Sequence, residues 1–474
     1  MLIIFVPVLG SVLMPVVGRF SKLLRNVLSL LFVMTSLVGS FFLLPQVLSG
    51  NVISINQPLP LGFNFVLSAD SLAVFMAIVS SLVGSIIVLY SFDYISHYDN
   101  QNEYYFLVVL FLGSMMGIVF SANLILLYVF WEITAITSWR LIGFFREKPF
   151  VIKADKSFLV TFFGALVMLV GFILIYQQTG SFDYAEIKAA LVSNPLADIA
   201  VAMILFGILS KSATLPFHTW LPDAGVAPSP VTALLHAAVL VKIGTYVYAR
   251  LFVATFTISE VWHTVIPIIA GASALVSAGA ALIDTDLKRV IAFSTVSQIG
   301  FIILGLSTGS QLGVVGGLLY ILMHSLAKGG LFLCAGIVEQ NMKVKDITKL
   351  GGLIQTMPVT AVSFLLCAFS VMGLPPFGGF FAKYMVITGA VVSHQPYIAL
   401  TFIVGAFLTL IYLLRVFSMV FLGEAKASLV KEGSPVMVTS VALLALMSLA
   451  GGVYIGYIYG PVQTTVLQMF SSIK

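Results

Sequence analysis

The stretch Phe206–Ala224, FGILSKSATLPFHTWLPDA, decides what kind of fold this chain can have. It belongs to a long apolar run, yet it carries Lys211 and, a little further on, Pro216. Proline has no amide donor and breaks or kinks a helix that tries to pass through it. A second stretch, Phe369–Ile387, FSVMGLPPFGGFFAKYMVI, repeats the combination, with Pro375, Pro376, Gly378 and Gly379 at its centre and Lys383 just after them. Apolar spans interrupted by Pro and Gly in corresponding parts of two halves point to a transport site in a helical membrane protein.

The whole composition agrees with that reading. Of 474 residues, 60% are apolar and only 9% are charged, against roughly 25% charged in an average soluble domain. The mean hydropathy is +1.11. Too few polar side chains exist to cover a soluble globule of this size. A disordered chain is excluded as well, and so is a disulfide scaffold, because Cys334 and Cys367 are the only cysteines. A bilayer core needs about 20 apolar residues in a helix. Runs of that kind lie at 2–18, 26–48, 71–92, 104–120, 122–140, 157–178, 198–220, 230–252, 263–283, 290–307, 311–338, 357–392, 397–422 and 436–459. The expectation is an all-α polytopic membrane protein of about fourteen transmembrane helices, two of them discontinuous. Barrel-type alternation is absent. The first run is long and lacks a small-residue cleavage site, so it reads as a helix and not a signal peptide.

The formal net charge is +5. The basic residues are scattered, which argues against nucleic acid as a partner. Their placement follows the positive-inside rule. Numbering the loops alternately puts Arg19, Lys22, Arg25, Arg140, Arg146, Lys148, Lys153, Lys156, Lys288, Arg289, Lys343, Lys345, Lys349, Lys426 and Lys431 on one side. The other side holds Lys188, Arg250 and Lys474. The basic side is expected to be cytoplasmic, with both termini facing outward.

Five cations remain inside apolar runs: Lys211, Lys242, Lys328, Lys383 and Arg415. Glu132, His236 and His324 are inside such runs too. A charge at the bilayer centre costs roughly 2.5–3.5 kcal/mol on insertion scales, so these residues are functional candidates by default. Lysine suits a proton relay, since its pKa moves readily with desolvation and neighbouring charge. Glu132, the only deep acid, is the expected partner of Lys211. Lys242 follows His236 by six residues, on faces offset by about 120°. His324 and Lys328 stand at i, i+4 and share one face. His218 lies near the first break and reads as interfacial, and His97, His263 and His394 fall in loops. The interrupted spans are the seventh and the twelfth, which suggests a five-helix repeat. An odd-numbered repeat must insert its second copy upside down. The expected divisions are N-terminal helices in residues 1–103, a first repeat in 104–253, a second in 254–423 and a last helix in 424–474. There is no Walker A sequence, no cysteine cluster for iron–sulfur chemistry, no CxxC metal site and no dinucleotide fingerprint. The chain is expected to hold no cofactor and no metal.

Several blocks resemble one family in order. SKSATLPFHTWLPDAGVAPSPVTALLHAAVLVKIGTYVYAR (210–250), DTDLKRVIAFSTVSQIGFIILGL (284–306), MHSLAKGGLFL (323–333) and GLPPFGGFFAK (373–383) are similar to the antiporter-like subunits of respiratory complex I and the Mrp cation/proton antiporters. The likeness covers about residues 65–425. It implies fourteen transmembrane helices with two inverted five-helix repeats. It also implies that Glu132 and Lys211 form the coupling pair and that Lys242, with His236 nearby, continues a central polar axis. His324 and Lys328 would lead to the second half-channel, ending at Lys383. Some relatives carry a further histidine one turn before His324, where Tyr320 stands here. KDITKLGGLIQTMPVT (345–360) and LIGFFREK (141–148) look most like the large Mrp subunit and the distal complex I subunit. The expectation is a compact version of the family, without the long lateral helix or the extra C-terminal helices that some relatives carry. The resemblance implies a non-catalytic, proton-translocating subunit of a complex I-like or membrane-bound hydrogenase assembly, or the alternative, an Mrp-type Na⁺/H⁺ antiporter subunit. It implies a prokaryotic plasma membrane and partners that are other membrane subunits, including further antiporter-like ones, with H⁺ or Na⁺ as the ion.

Overall fold

The structure is a computed structural model and describes residues 1–58, 60, 64–191, 195–424 and 432–471. Lys426, Lys431 and Lys474, used above to orient the chain, lie outside the described residues. The architecture is helical. Eleven helices among the described residues are long and apolar enough to cross a membrane, and a bent N-terminal pair adds a twelfth.

That pair is α1 (Leu2–Ser11) and α2 (Leu13–Phe20), which meet at 53°. The first expected span is therefore bent. The continuous spans that follow are α3 (Lys22–Leu48), α4 (Ser71–Tyr94), α5 (Gln101–Phe120), α6 (Leu124–Ile142) and α7 (Lys148–Thr179). The hairpin β1 (Ile53–Pro58) and β2 (Asn64–Ala69) between α3 and α4 was not expected. Its Ile–Ser–Ile alternation is too short to have stood out among apolar runs. After the short α8 (Tyr184–Ala190) comes α9 (Asp198–Lys211), where the seventh span was expected, and past its end the short α10 (Trp220–Asp223), whose last residue lies beyond that expected run. The next span, Ser229–Val253, contains α11 (Ser229–Ala233) and α12 (Leu240–Tyr248), with π turns at Leu234–Ala238 and Ala249–Val253.

The second half begins with α13 (Trp262–Ile283), α14 (Leu287–Leu306) and α15 (Gln311–Met342). The expected twelfth span is split into α16 (Pro358–Met372) and α17 (Gly378–Val392), and α18 (Pro396–Phe421) and α19 (Pro435–Val453) follow. A further helix, α20 (Ile455–Ser471), extends beyond the last expected span.

Short polar side chains start several of these helices. Asp70 accepts from Ala73 N at 2.9 Å, Asn123 from Ile125 N at 2.9 Å, Asp286 from Arg289 N at 3.1 Å and Ser310 from Gly313 N at 3.0 Å. Each satisfies an amide that the first helical turn leaves free. The two halves also share a spacing. α7 begins at residue 148 and α15 at residue 311, 163 residues later, and both run for 32 residues. The same interval separates an isolated bridge between Asn123 and Asp183 from one between Asp286 and Asp346.

Burial divides the spans. Ser229–Val253, α14 and α15 are almost wholly enclosed, whereas α3, α7 and α18 expose much of their apolar surface. Phe42, Phe163, Leu400 and Phe407 on the outer helices point away from the protein, as lipid-facing side chains do. Small residues set the closest approach. A Cβ on Gly207 of α9 would stand 2.9 Å from Gly164 O of α7, so only glycine lets these helices approach so closely.

Candidate functional site

At the first interruption α9 stops at Lys211, and the backbone groups freed by the break find other partners. Trp220 Nε1 donates to Ser210 O at 3.0 Å, and Leu215 N donates to Ser273 Oγ at 3.2 Å. Lys211 is fully buried at the C-terminal end of α9. Its Nζ donates to Trp131 O at 3.2 Å and lies 5.1 Å from the Trp131 ring centroid. Glu132 is the next residue on α6. It interacts electrostatically with Lys211 and with Tyr128. Among the described residues no ion pair within 4.0 Å joins Glu132 to Lys211, and Oε1 of Glu132 has no hydrogen-bond partner. The expected partners are neighbours, with Trp131 holding the lysine.

The second interruption is arranged differently. Lys383 follows the break in α17 and reaches back to α16, donating to Val371 O at 2.7 Å and Met372 O at 3.2 Å. Those carbonyls end a helix and have no intrahelical donor. They also form the negative end of its dipole, which favours a cation. The Tyr320 and Phe301 ring centroids lie 5.6 Å and 5.9 Å from the ammonium.

Between the breaks, Lys242 Nζ and His324 Nδ1 are 2.6 Å apart. His324 thus pairs across to α12. Lys328, on the same face of α15, turns instead to α14 and donates to Ser294 Oγ at 2.6 Å and Ile291 O at 3.1 Å. His236 sits in a π turn, a distortion that inserts a residue into the helix and changes which faces align. It does not bond to Lys242. Its ring lies 4.5 Å from that of Phe332, and neither nitrogen has a hydrogen-bond partner among the described residues. Lys328, Lys242 and Lys288 are its charged neighbours.

Sequence reasoning missed two clusters. The first is Ser294, Gln298, Tyr320, Thr409 and Tyr412, all buried. The polar run STVSQ at 294–298 inside an apolar span was the available signal. The second surrounds Lys288, read above only as an orienting cation. It is 3% exposed, pairs with Glu339 at 2.5 Å and donates to Ala227 O at 3.1 Å. Nothing in its local sequence separates it from its neighbour Arg289. Arg415, also a span cation, donates to Leu282 O and Asp284 O at the end of α13 and acts as a helix cap. Outside the spans, Asp223 pairs with Lys156 at 2.7 Å and Arg289 at 2.8 Å. Burial raises its pKa, but the two cations outweigh burial and hold it below the usual carboxylate range. Among the described residues no group of three or more His, Cys, Asp or Glu side chains is placed to hold a metal ion.

Comparison with known proteins gives the family and the fold. Residues 121–409 match the family model described as NADH:quinone oxidoreductase/Mrp antiporter, transmembrane. Residues 57–106 match the N-terminal region of complex I chain 5. The Na⁺/H⁺ antiporter subunit A1 of Staphylococcus haemolyticus is 34% identical over 96% of this chain and 60% of the relative. The Staphylococcus aureus subunit A1 is 32% identical over 96% of this chain and 61% of the relative. The chain therefore spans about 60% of the length of the curated relatives it matches. Among solved structures, the Mrp complex from a Dietzia species matches with a TM-score of 0.88 at 23% identity, over 99% of this chain and 96% of that one. A membrane-bound sulfane sulfur reductase, an archaeal respiratory complex, matches with a TM-score of 0.90 at 24% identity, over 100% and 98%. At these identities the likeness is one of fold.

Proposed function

This chain belongs to the NADH:quinone oxidoreductase/Mrp antiporter family of membrane proteins, and from that premise we propose that it translocates protons as one subunit of a larger membrane assembly. The observation that carries the reading is the buried Lys242–His324 contact at 2.6 Å. It joins the half of the chain holding Glu132 and Lys211 to the half holding Lys328 and Lys383. A lysine and an imidazole at that distance share one proton, which either nitrogen can hold.

In this reading the spans number fourteen when the bent N-terminal pair and each interrupted helix count once beside the eleven continuous helices. Residues 104–253 and 254–423 form two inverted repeats, flanked by 1–103 and 424–474. The matched lengths of α7 and α15 support this division. The cation bias supports outward termini in a prokaryotic plasma membrane. A change in the distance between Glu132 and Lys211 alters which group holds a proton. The change passes to Lys242 and His324, with His236 beside them, then to Lys328, and ends at Lys383.

Two parent assemblies fit. A redox-driven complex would supply energy from partner subunits, and the blocks shared with complex I subunits support it. A secondary Na⁺/H⁺ antiporter is supported equally by the name of the staphylococcal relatives. In both, the partners are other membrane subunits, further antiporter-like ones among them. Transport that needs an added electron donor favours the first, and transport driven by a sodium gradient alone favours the second. Lys211→Ala is expected to abolish proton movement in membrane vesicles while the assembly stays intact. Normal pumping by that variant would sink the proposal.

A further inference from the structure

Lys328 and Lys383 are linked by neutral side chains. Lys328 Nζ donates to Ser294 Oγ at 2.6 Å, and Ser294 Oγ shares a hydrogen bond with the Tyr412 hydroxyl at 2.7 Å. Gln298, one turn further along α14, donates from Nε2 to the Tyr412 hydroxyl at 3.3 Å and to Thr409 Oγ1 at 3.2 Å. The Tyr320 hydroxyl donates to Oε1 of the same amide. The ring of Tyr320 faces the Lys383 ammonium at 5.6 Å. Ser294, Gln298, Tyr320, Thr409 and Tyr412 are all buried, so water does not compete for these bonds from a surface.

The central member of this chain has unusual chemistry for a relay. A hydroxyl both donates and accepts, and can pass a proton by doing both. An amide nitrogen only donates and an amide oxygen only accepts. Gln298 therefore cannot pass a proton from one tyrosine to the other as a hydroxyl or water would. It can only turn. With its nitrogen toward Tyr412, it leaves the Tyr412 proton to point at Ser294 or at Thr409, which lies 3.3 Å away. With its oxygen toward Tyr412, it would draw that proton away from Ser294 and present donors to Tyr320. The hydroxyl orientations at the two ends are tied together through one amide.

We propose that Gln298 is a positioning residue: it couples the hydroxyls beside Lys328 to the tyrosine beneath Lys383, and it insulates the two lysines from direct proton passage. This rests on the translocation reading above, because coupling between two lysines matters only if both change protonation in a cycle. Neutral dipoles in a buried network respond cooperatively to a charge at one end. A proton arriving at Lys328 would then be felt at Lys383 with no proton moving between them.

The test uses the chain in its native assembly, in membranes, with ¹³C-labelled tyrosine. Infrared difference spectra taken on a pH step follow the tyrosine C–O bands, and Tyr320→Phe and Tyr412→Phe assign one component each. Gln298→Leu is expected to shift both components, and Tyr320→Phe is expected to shift the Tyr412 component. Vesicle transport should fall about tenfold for Gln298→Leu, the loss expected for a broken buried hydrogen bond. Adding Tyr320→Phe to it should cost little more, since coupled residues are not additive. Should Gln298→Leu disturb folding, Tyr320→Phe alone decides, because it keeps the ring and removes one oxygen. Unshifted tyrosine bands in Gln298→Leu, or an unshifted Tyr412 band in Tyr320→Phe, overturn the proposal. So do independent, multiplying losses in the double variant. If Lys211→Ala or Lys242→Ala transported normally while the bands shifted as expected, the translocation reading would fall and the network would stand.

Discussion

Lys211 and Lys383 occupy matching places, yet their surroundings differ. Lys211 is the last residue of a helix that stops at the first break, and the Lys383 ammonium reaches the last carbonyls of the helix that stops at the second. Lys211 has a carboxylate, Glu132, in electrostatic range. Lys383 has two backbone carbonyls and two aromatic rings. Among the described residues no ion pair joins a carboxylate to Lys242, Lys328 or Lys383. The position 163 residues after Glu132 is Thr295, a buried threonine bonded to Ile291 O. One half can thus hold charge by pairing it, and the other must hold it with dipoles. A charge pair is strong and hard to release, whereas oriented carbonyls and hydroxyls can be rearranged without unpairing an ion. In the proposed cycle the difference gives each half a task, one as a charge-sensitive trigger and one as a series of lysines coupled through neutral dipoles.

After the loss of transport expected for Lys211→Ala, the largest effect comes from breaking the contact between the halves. Lys242→Ala removes the partner of His324 and should lower proton transport by about 100-fold, the scale of a lost general acid–base group. Vesicle dye-quench assays would measure it, and a loss of less than twofold would separate the two halves functionally.

Making the halves alike gives a sharper test. Thr295→Glu places a carboxylate beside the Lys328 site, in the position that Glu132 holds in the first half. An ion pair there should pin the charge and slow transport about tenfold, while Thr295→Val should have little effect. Faster transport in Thr295→Glu would reverse the interpretation of the dipole-lined half.

The next effect is on stability, at a cluster that ties α10 to α7 and α14. Asp223 is held below the usual carboxylate range, so its contribution is complete above that range and is lost as pH falls through the lowered value. Asp223→Asn should cost about 1 kcal/mol near neutral pH and nothing in strong acid, after discounting for partial exposure. Thermal unfolding of the purified assembly at neutral and acid pH would read this, and an equal loss at both would refute it. The smallest effect belongs to Arg415. Arg415→Lys keeps the charge at the end of α13 but loses the two-pronged geometry, and it should cost about 0.5 kcal/mol with transport unchanged. A transport defect would add Arg415 to the translocating residues.

The positions of the eleven long helices and of both breaks were legible in the sequence, because a bilayer demands long apolar runs and proline removes an amide wherever it stands. Scarcity of charge made Lys211, Lys242, Lys328 and Lys383 legible for the same reason. Their partners were not. His324 and Lys328 share a face, but an i, i+4 pattern cannot say which neighbouring helix that face meets. Lys242 and His236 were placed by ideal helix geometry, and the π turn at Leu234–Ala238 changed the alignment. Lys288 looked like any cation at a span end until α15 brought Glu339 to it.

The sequence by itself determined a helical membrane protein, the places where two helices stop, and a short set of costly buried ions. These follow from the energetics of single segments in lipid, which depend on local composition. Only the tertiary structure decided that Lys242 meets His324, that Lys383 caps the helix before its own break, and that Gln298 lies between two tyrosines. Those are contacts between residues far apart in the chain, set by how helices rotate and pack against one another, and no single segment carries that information.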